Sequence, residues 1–422
     1  MEAYAVALTY ATPGFLVLII IEALAAWLMG RKINKGLDTI SSLSSGMTNT
    51  LKSLIGLSIV ILSYGWMEQH LALFDISAGW WVFLLAFIGH DFAGYWAHRF
   101  NHEINVFWNR HIVHHSSEEF NLACALRQSI SSFVGVYFFL YIPMAIIGIP
   151  NTVVMVVAPI HLFAQFWYHT RLINRMGWLE YLIVTPSHHR VHHAINPIYI
   201  DKNYSEIFII WDKLFGTFQE ELPEEPPVYG VKKAVQTWNP VLINFMHIWG
   251  IAKDAWRTQK LWDKVRIWFM PTGWRPADVS EKFPVAVTTD VYAREKYDTK
   301  PTRLFLIWAW VQLLLTMVLL YYMLTQFAAL PYMHVLLYAA FILISIFAFT
   351  TTMDRHPMAA VVEGVRCIFG LVLIYNFGGW FNLDQYLMGA GVLMSVFLVA
   401  SFITTLWFSM DRSAASRVLQ TS

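Results

Sequence analysis

Charge is scarce in this chain. Lys, Arg, Asp and Glu make up 14% of its 422 residues, where a soluble globular protein carries about 25%. The shortfall argues against an ordinary water-solvated fold and makes lipid part of the solvent. What charge there is balances, 29 basic residues against 28 acidic. No basic run breaks the balance, so no nucleic-acid partner is expected. Cysteine is nearly missing: Cys124 and Cys367 are the whole supply. Two thiols build neither a disulfide framework nor a cysteine-rich metal site, and both read as buried apolar filler. The N-terminus lacks a basic n-region and a small-residue cleavage site, so it reads as a membrane helix and not as a signal peptide. No internal repeat or low-complexity tract stands out.

Apolar runs, by contrast, are plentiful. A bilayer span needs about 20 such residues, and runs lie at roughly 7–29, 51–73, 79–97, 129–149, 151–170, 303–326, 329–352, 359–380 and 386–409. The expected fold is therefore all-α, a polytopic membrane helical bundle of about nine spans. The third run ends in Asp91 and His98, and the eighth carries Glu363 and Arg366. Charged groups at that depth usually face a bundle interior. Arg31, Lys32 and Lys35 follow the first run, which the positive-inside rule assigns to the cytoplasm. Counting onward, 98–128, 171–302, the turn with Asp354 and Arg355, and the tail with Arg412 and Arg417 are also cytoplasmic. Segments 74–78 and 381–385, on the other side, hold no Lys or Arg. Pro143, Gly148 and Pro150 mark the turn of a hairpin between the fourth and fifth runs.

Four regions follow from this pattern: N-terminal spans in 1–84, a histidine-rich region in 85–220, a cytoplasmic or interfacial segment in 221–302, and C-terminal spans in 303–422. Glu220 to Pro227 is acidic and proline-bearing and reads as a solvated loop. Between 241 and 270, Leu242, Phe245, Met246, Trp249, Ala252 and Trp256 recur at helical spacing. That stripe fits an interfacial amphipathic helix and core packing equally well.

Eleven of the 16 histidines fall between His98 and His193. They form three boxes: His98 with His102, His111 with His114 and His115, and His189 with His192 and His193. Positions i, i+3 and i+4 share one helix face, so each box aims two or three imidazoles at one point. Neutral imidazole is the commonest protein ligand for transition metals. One such pair would pass as tolerated interfacial histidine; three on one membrane face would not. Eight histidines are too many for one ion and suit two. A zinc protease would show H-E-x-x-H, but Val106 stands where the second histidine would be. Structural zinc is satisfied by four ligands and tends to use cysteine. Spacing alone leaves iron, copper and zinc open, while a dinuclear site that binds O2 beside a bilayer suggests iron and C–H oxidation.

His161, Gln165 and His169 lie at i, i+4 and i+8 on the fifth run. His169, at its cytoplasmic end, is expected as a ninth ligand, with Gln165 as a nearby orienting group. His161, His90 and His188 are read as structural, as are the distant His70, His247, His334 and His356. Asp91, Glu103, Glu118 and Glu119 are carboxylates able to orient imidazoles through their second N–H. Tyr95, Trp96, Phe100, Phe107, Trp108, Phe166, Trp167 and Tyr168 surround the boxes, as an interfacial belt or as the wall of an apolar tunnel.

Over roughly residues 85–220 the boxes and their neighbours resemble the fatty acid hydroxylase and sterol desaturase superfamily of membrane di-iron enzymes. Within it the chain is most similar to the alkylglycerol monooxygenase branch. Asp91-Phe92, Tyr95 to Arg99, His114 to Asn121, Ala125 to Ser129, Gln165 to Thr170, Thr185 to His193, Asp201 to Tyr204 and Trp211 to Phe218 carry that similarity. The resemblance implies two Fe ions held by His98, His102, His111, His114, His115, His189, His192 and His193. Some relatives add an H-x3-H pair before the third box; here Gln165 holds its first position, so His169 alone carries over. No catalytic residue beyond these ligands is implied. The resemblance also implies a lipid substrate, O2 and an external electron donor, since no cytochrome or ferredoxin motif is fused. In the alkylglycerol branch the carbon beside the ether oxygen is hydroxylated, the hemiacetal collapses to an aldehyde and glycerol, and tetrahydropterin is the reductant. A sterol, fatty-acid or carotenoid desaturase or hydroxylase is the alternative on the same scaffold. A metal transporter would carry its ligands into the spans, whereas these gather at one face.

Overall fold

A computed structural model describes residues 2–410, with side chains from Ala5 onward. The chain is mostly helical: α1 (Glu2–Leu28), α2 (Gly36–Leu54), α3 (Tyr64–Leu71), α4 (Trp80–Glu103), α5 (Asn105–Trp108), α6 (Ile112–His115), α7 (Ile142–Ile147), α8 (Asn151–Phe163) and α9 (Pro186–His192). There follow α10 (Ile210–Phe215), α11 (Pro240–Arg257), α12 (Leu261–Arg266), α13 (Ala277–Lys282), α14 (Arg303–Thr325), α15 (Tyr332–Met353), α16 (Ala359–Phe377) and α17 (Ala390–Met410). Ile59–Val60 and Val134–Gly135 pair as two-residue parallel strands, β1 and β2.

Among the described residues, five helices are long and apolar enough to cross a membrane: α1 from Ala5, and α14 to α17. The other four apolar runs take different forms, each for a local reason. The run at 51–73 breaks at Gly56, whose φ is +68°, and continues through β1 into α3. Ser63 caps α3 by accepting from the Trp66 amide. The run at 79–97 becomes α4, a single 24-residue helix whose second half carries His90, Asp91, His98, Arg99, His102 and Glu103. At 129–149 the chain opens with Ser129, Ser131 and Ser132, forms β2, and closes α7 at Gly148 in the left-handed region. The last, at 151–170, is helical for only 13 residues in α8, which contains Pro159. These four runs are two consecutive pairs, so five spans leave every later segment on the side that nine would give. The arginines of the tail lie outside the described residues.

Helix α2 is the element that locks the halves together. Its sequence has too many Ser and Thr for a span, and it is buried in protein instead: Asp38, Ser41, Ser42, Ser44, Ser45 and Thr48 are all covered. Its apolar side chains Leu37, Ile40, Met47 and Leu54 share one core with Phe305 and Leu313 of α14 and with Phe341 and Ile342 of α15. Within the C-terminal helices, Arg366 pairs with Glu363 at 2.5 Å and reaches Gln312 and Ser401, all buried. A bundle interior is where such a pair was expected. The far end of α15 receives the segment 221–302: the Asp354 carboxylate accepts from Thr237, from the Trp238 amide and from Tyr297.

Candidate metal centre

Four elements deliver nine histidines to one place. Helix α4 presents His98 and His102 one turn apart. Helix α6 and the residue before it supply His111, His114 and His115, and the loop after α8 supplies His169. Helix α9 starts at Pro186, where the missing N–H costs nothing, and carries His189 and His192, with His193 as its C-cap. The imidazoles sort into two groups: His98, His102, His111, His115 and His192 in one, and His114, His169, His189 and His193 in the other. Within each, the nitrogens that could hold an ion lie within 4.8 Å of one another. Nε2 pairs His98/His111, His102/His115, His115/His192, His169/His189 and His189/His193 stand 2.8, 3.1, 3.1, 2.8 and 3.0 Å apart.

Proton placement tests whether these groups fit metal ions. A main-chain carbonyl only accepts, so a ring nitrogen bonded to one must carry the proton. His98 donates from Nδ1 to Tyr204 O at 2.7 Å, His114 to Arg127 O at 3.2 Å, His169 to Gln165 O at 3.1 Å and His192 to Lys202 O at 3.1 Å. Burial, helped by neighbouring imidazoles, holds His115, His169, His189, His192 and His193 well below the ordinary 6.5. Burial likewise brings His114 down to about 4. His114 and His169 are thus neutral with bare Nε2 atoms, which face each other 3.3 Å apart with no proton between them. Opposed lone pairs at that distance repel unless a cation lies between them. Separations of about 3 Å also suit nitrogens that share an ion at roughly 2.1 Å. The residues fit two metal ions.

A cavity of about 1100 Å³ opens directly beside the first group. His102, His115, His192 and His193 form its inner end, with Trp108 and Ile112. Its outer walls come from the segment after Gly230 and from α11 and α13, including Lys232, Lys233, Lys253 and Lys282. None of these four ammonium groups makes a hydrogen bond or ion pair among the described residues. The size and mixed lining suit a small organic ligand or the end of a lipid.

The family model for fatty acid hydroxylase matches residues 83–217, a stretch holding all nine of these histidines. Curated alkylglycerol monooxygenases match far more of the chain. The one from Homo sapiens is 36% identical over 376 residues, covering 87% of this chain and 82% of its own. Those from Xenopus tropicalis and Danio rerio are 34% and 33% identical, covering 86% and 95% of this chain and 81% and 88% of theirs. The chain belongs to the alkylglycerol monooxygenase family. No solved structure matches it.

The family's stretch from Asp201 to Thr217 has a plain mechanical role. Asp201 and Asn203 sit at φ +57° and +56°, a conformation these side chains tolerate better than most. Asn203 bridges His188 O and Gln219 O, and Asp212 accepts from the Tyr204 and Ser205 amides and from Thr217. The loop so fixed aims the carbonyls of Lys202 and Tyr204 at His192 and His98. Three of the four carboxylates named as able to orient imidazoles hold cations instead, and the fourth, Asp91, holds an imidazole outside the two metal-sized groups. Glu103 pairs with Arg99, Glu118 with Arg294, and Glu119 with Arg171 and Lys296. Asp91 takes His161 at 2.7 Å together with Ile207 N, Phe208 N and Trp211 Nε1, tying α4 to the same loop. His161 and Asp91 form a third cluster with Glu206, whose carboxyl burial pushes up to about 7. Gln165 lies between His161 and Glu206, while its carbonyl holds His169. His90 and His188 join neither metal-sized group. Of the aromatics around the boxes, Trp108 alone lines the cavity, and Tyr95 is buried with its hydroxyl on Thr217.

Proposed function

We propose that the chain is a membrane-bound, O2-dependent di-iron monooxygenase that hydroxylates the ether-bearing carbon of an alkylglycerol-type lipid. The observation that carries it is a pair of adjoining histidine groups that border a cavity through His102, His115, His192 and His193, in a chain of this family. His98, His102, His111, His115 and His192 would hold one iron, and His114, His169, His189 and His193 the other. Iron bound there would supply O2 reduction and an oxidant able to break the C–H bond beside the ether oxygen. The chain's own part is to hold nine neutral donors in fixed orientation, to bury them from bulk water, and to seat one carbon of the lipid against the first group.

The electron count needs a reductant. One oxygen atom of O2 enters the C–H bond and the other leaves as water, taking two electrons and two protons. A tetrahydropterin is the donor the resemblance implies. The product is a hemiacetal, which breaks its C–O bond to give a fatty aldehyde and a free glycerol hydroxyl. Protein purified without oxygen should hold two irons and release aldehyde from an ether lipid when O2 and tetrahydropterin are added. Iron well below two per chain, or a stable alcohol or alkene as product, would refute the reading and favour another chemistry of the superfamily.

The histidines are assigned to the cytoplasmic side on the positive-inside rule. Arg31 donates to Arg171 O, and Lys35 pairs with Asp298, so the cations after α1 lie against the catalytic region. The opposite turns, 326–331 and 378–389, hold no Lys or Arg.

A further inference from the structure

Helix α11 carries an apolar stripe that is left partly open at its start and wide open towards its end. Leu242, Phe245, Met246, Trp249 and Trp256 are between 39% and 86% exposed, while Ile243, Asn244, Ile251 and Asp254 on the other side are buried. After a turn, α12 and the residues beyond it extend the patch with Leu261, Trp262, Val265 and Phe269, all well exposed. A contiguous apolar surface of that kind marks an interaction site.

Position and charge say what covers it. The start of α11 is tied to the end of a span: Asn239 caps the helix and donates to Phe347 O and Thr351 of α15, beside the Asp354 turn. The stripe therefore begins beside the end of a spanning helix. The acids of α11 and α12 are neutralised, Asp254 by Arg275 and Asp263 by Arg266. Lys253, Arg257, Lys260 and Lys264 leave the surface cationic. An aromatic stripe edged with Lys and Arg is the pattern of a helix lying in a lipid headgroup layer. Lys253 and Arg257 also line the cavity, so its mouth opens along the edge of the stripe.

We propose that α11 and α12 lie in the interface of the leaflet from which α15 emerges, and that a lipid substrate enters the cavity sideways from that leaflet at the C-terminal end of α11, where the Arg257 guanidinium, 4.1 Å over the Phe283 ring, stands as a side-chain gate. The docking half stands without the proposed reaction; the entry half rests on it.

The two halves are tested separately. Cys124 and Cys367 are buried, so Trp256→Cys or Trp262→Cys gives an accessible thiol for a nitrobenzoxadiazole label. The labelled full chain goes into nanodiscs of phosphatidylcholine and phosphatidylglycerol. Nitroxide placed high on the acyl chain should quench the label more than nitroxide placed deep, and aqueous iodide should quench it little. Quenching by iodide alone would put the surface in water, and quenching by neither would put it against a second copy; both results overturn the proposal. For entry, Trp249→Gln, Trp256→Gln and Trp262→Gln together should raise KM for an ether lipid in vesicles by about tenfold. KM and kcat for a detergent-dispersed short-chain alkylglycerol should stay unchanged. Equal effects on both substrates would overturn lateral entry. Wild-type protein without ether-lipid activity would defeat the proposed function and leave the quenching result standing.

Discussion

His114 is held by the carbonyl of Arg127, and Arg127 is held by Asp38. The guanidinium donates to Asp38 at 2.8 Å, to Ser42 at 2.9 Å and to Ser116 at 2.7 Å, and Ser117 fixes the other carboxylate oxygen. Arg127 and Asp38 are both buried, so Arg127→Leu strands a charge and should cost about 3–5 kcal/mol. Asp38→Leu added to it should recover much of that loss, as read by thermal unfolding in detergent. Neither bond touches a metal-sized group, yet iron content should fall with the single substitution. At the ligands themselves, His114→Ala or His192→Ala should abolish product formation while the protein still inserts in the membrane, checked by membrane extraction. Retained activity in both would refute the ligand assignment. The same histidines set a pH dependence. An unfolded imidazole takes a proton below about 6.5, while the buried ones refuse it; for His114 that refusal extends to about 4. Metal-free protein should therefore lose stability as pH falls from 6.5 towards 4, by up to about 1.4 kcal/mol per pH unit for each such group. Unfolding midpoints across that range measure it.

At the scale of elements, the boxes were legible because imidazoles at i, i+3 and i+4 leave a trace in the sequence, but their sharing-out was not: only His98 and His102 aim at one point, while the second and third boxes each divide between the two groups. His169 was legible through its place at the end of an apolar run and through the resemblance, not through a box of its own. The groups that orient these rings were not legible. They are main-chain carbonyls, which every residue has, aimed by a loop whose left-handed turns at Asp201 and Asn203 mark no ligand. The four C-terminal spans were plain from hydropathy, whereas α2 was hidden because Ser and Thr that face protein look like Ser and Thr that face water. Close approaches give a test at this level. A Cβ on Gly148, where φ is +88°, would stand 2.0 Å from Phe74 O, a backbone atom. Gly148→Ala should cost well over about 1 kcal/mol through strain and collision together, lowering yield and melting temperature. On α4, a Cβ at Gly94 would meet the Glu206 carboxylate at 2.1 Å. Glu206 sits at the end of a flexible side chain, so Gly94→Ala should instead dislodge it from Gln165, at a cost of about 1–3 kcal/mol.

Across the whole molecule, the C-terminal helices have a job that no motif announces. They supply the wall against which α2 packs, and α2 carries Asp38, which holds Arg127, which holds His114. Deleting 303–422 exposes Leu37, Ile40, Met47 and Leu54 and removes the Asp354 carboxylate from Thr237 and Tyr297. Such a fragment should be expressed without bound iron and without activity, measured by metal analysis of the membrane fraction. An active fragment would show the last four helices to be dispensable.

That dependence has a consequence in time. Residues 36–54 leave the ribosome early, but their packing surface on α14 and α15 is made some 250–300 residues later. Until then α2 has no wall, and the route from Asp38 to His114 is slack. Iron should accordingly be captured after release of the finished chain and not during synthesis, and a ribosome stalled before α15 should carry a nascent chain that binds none.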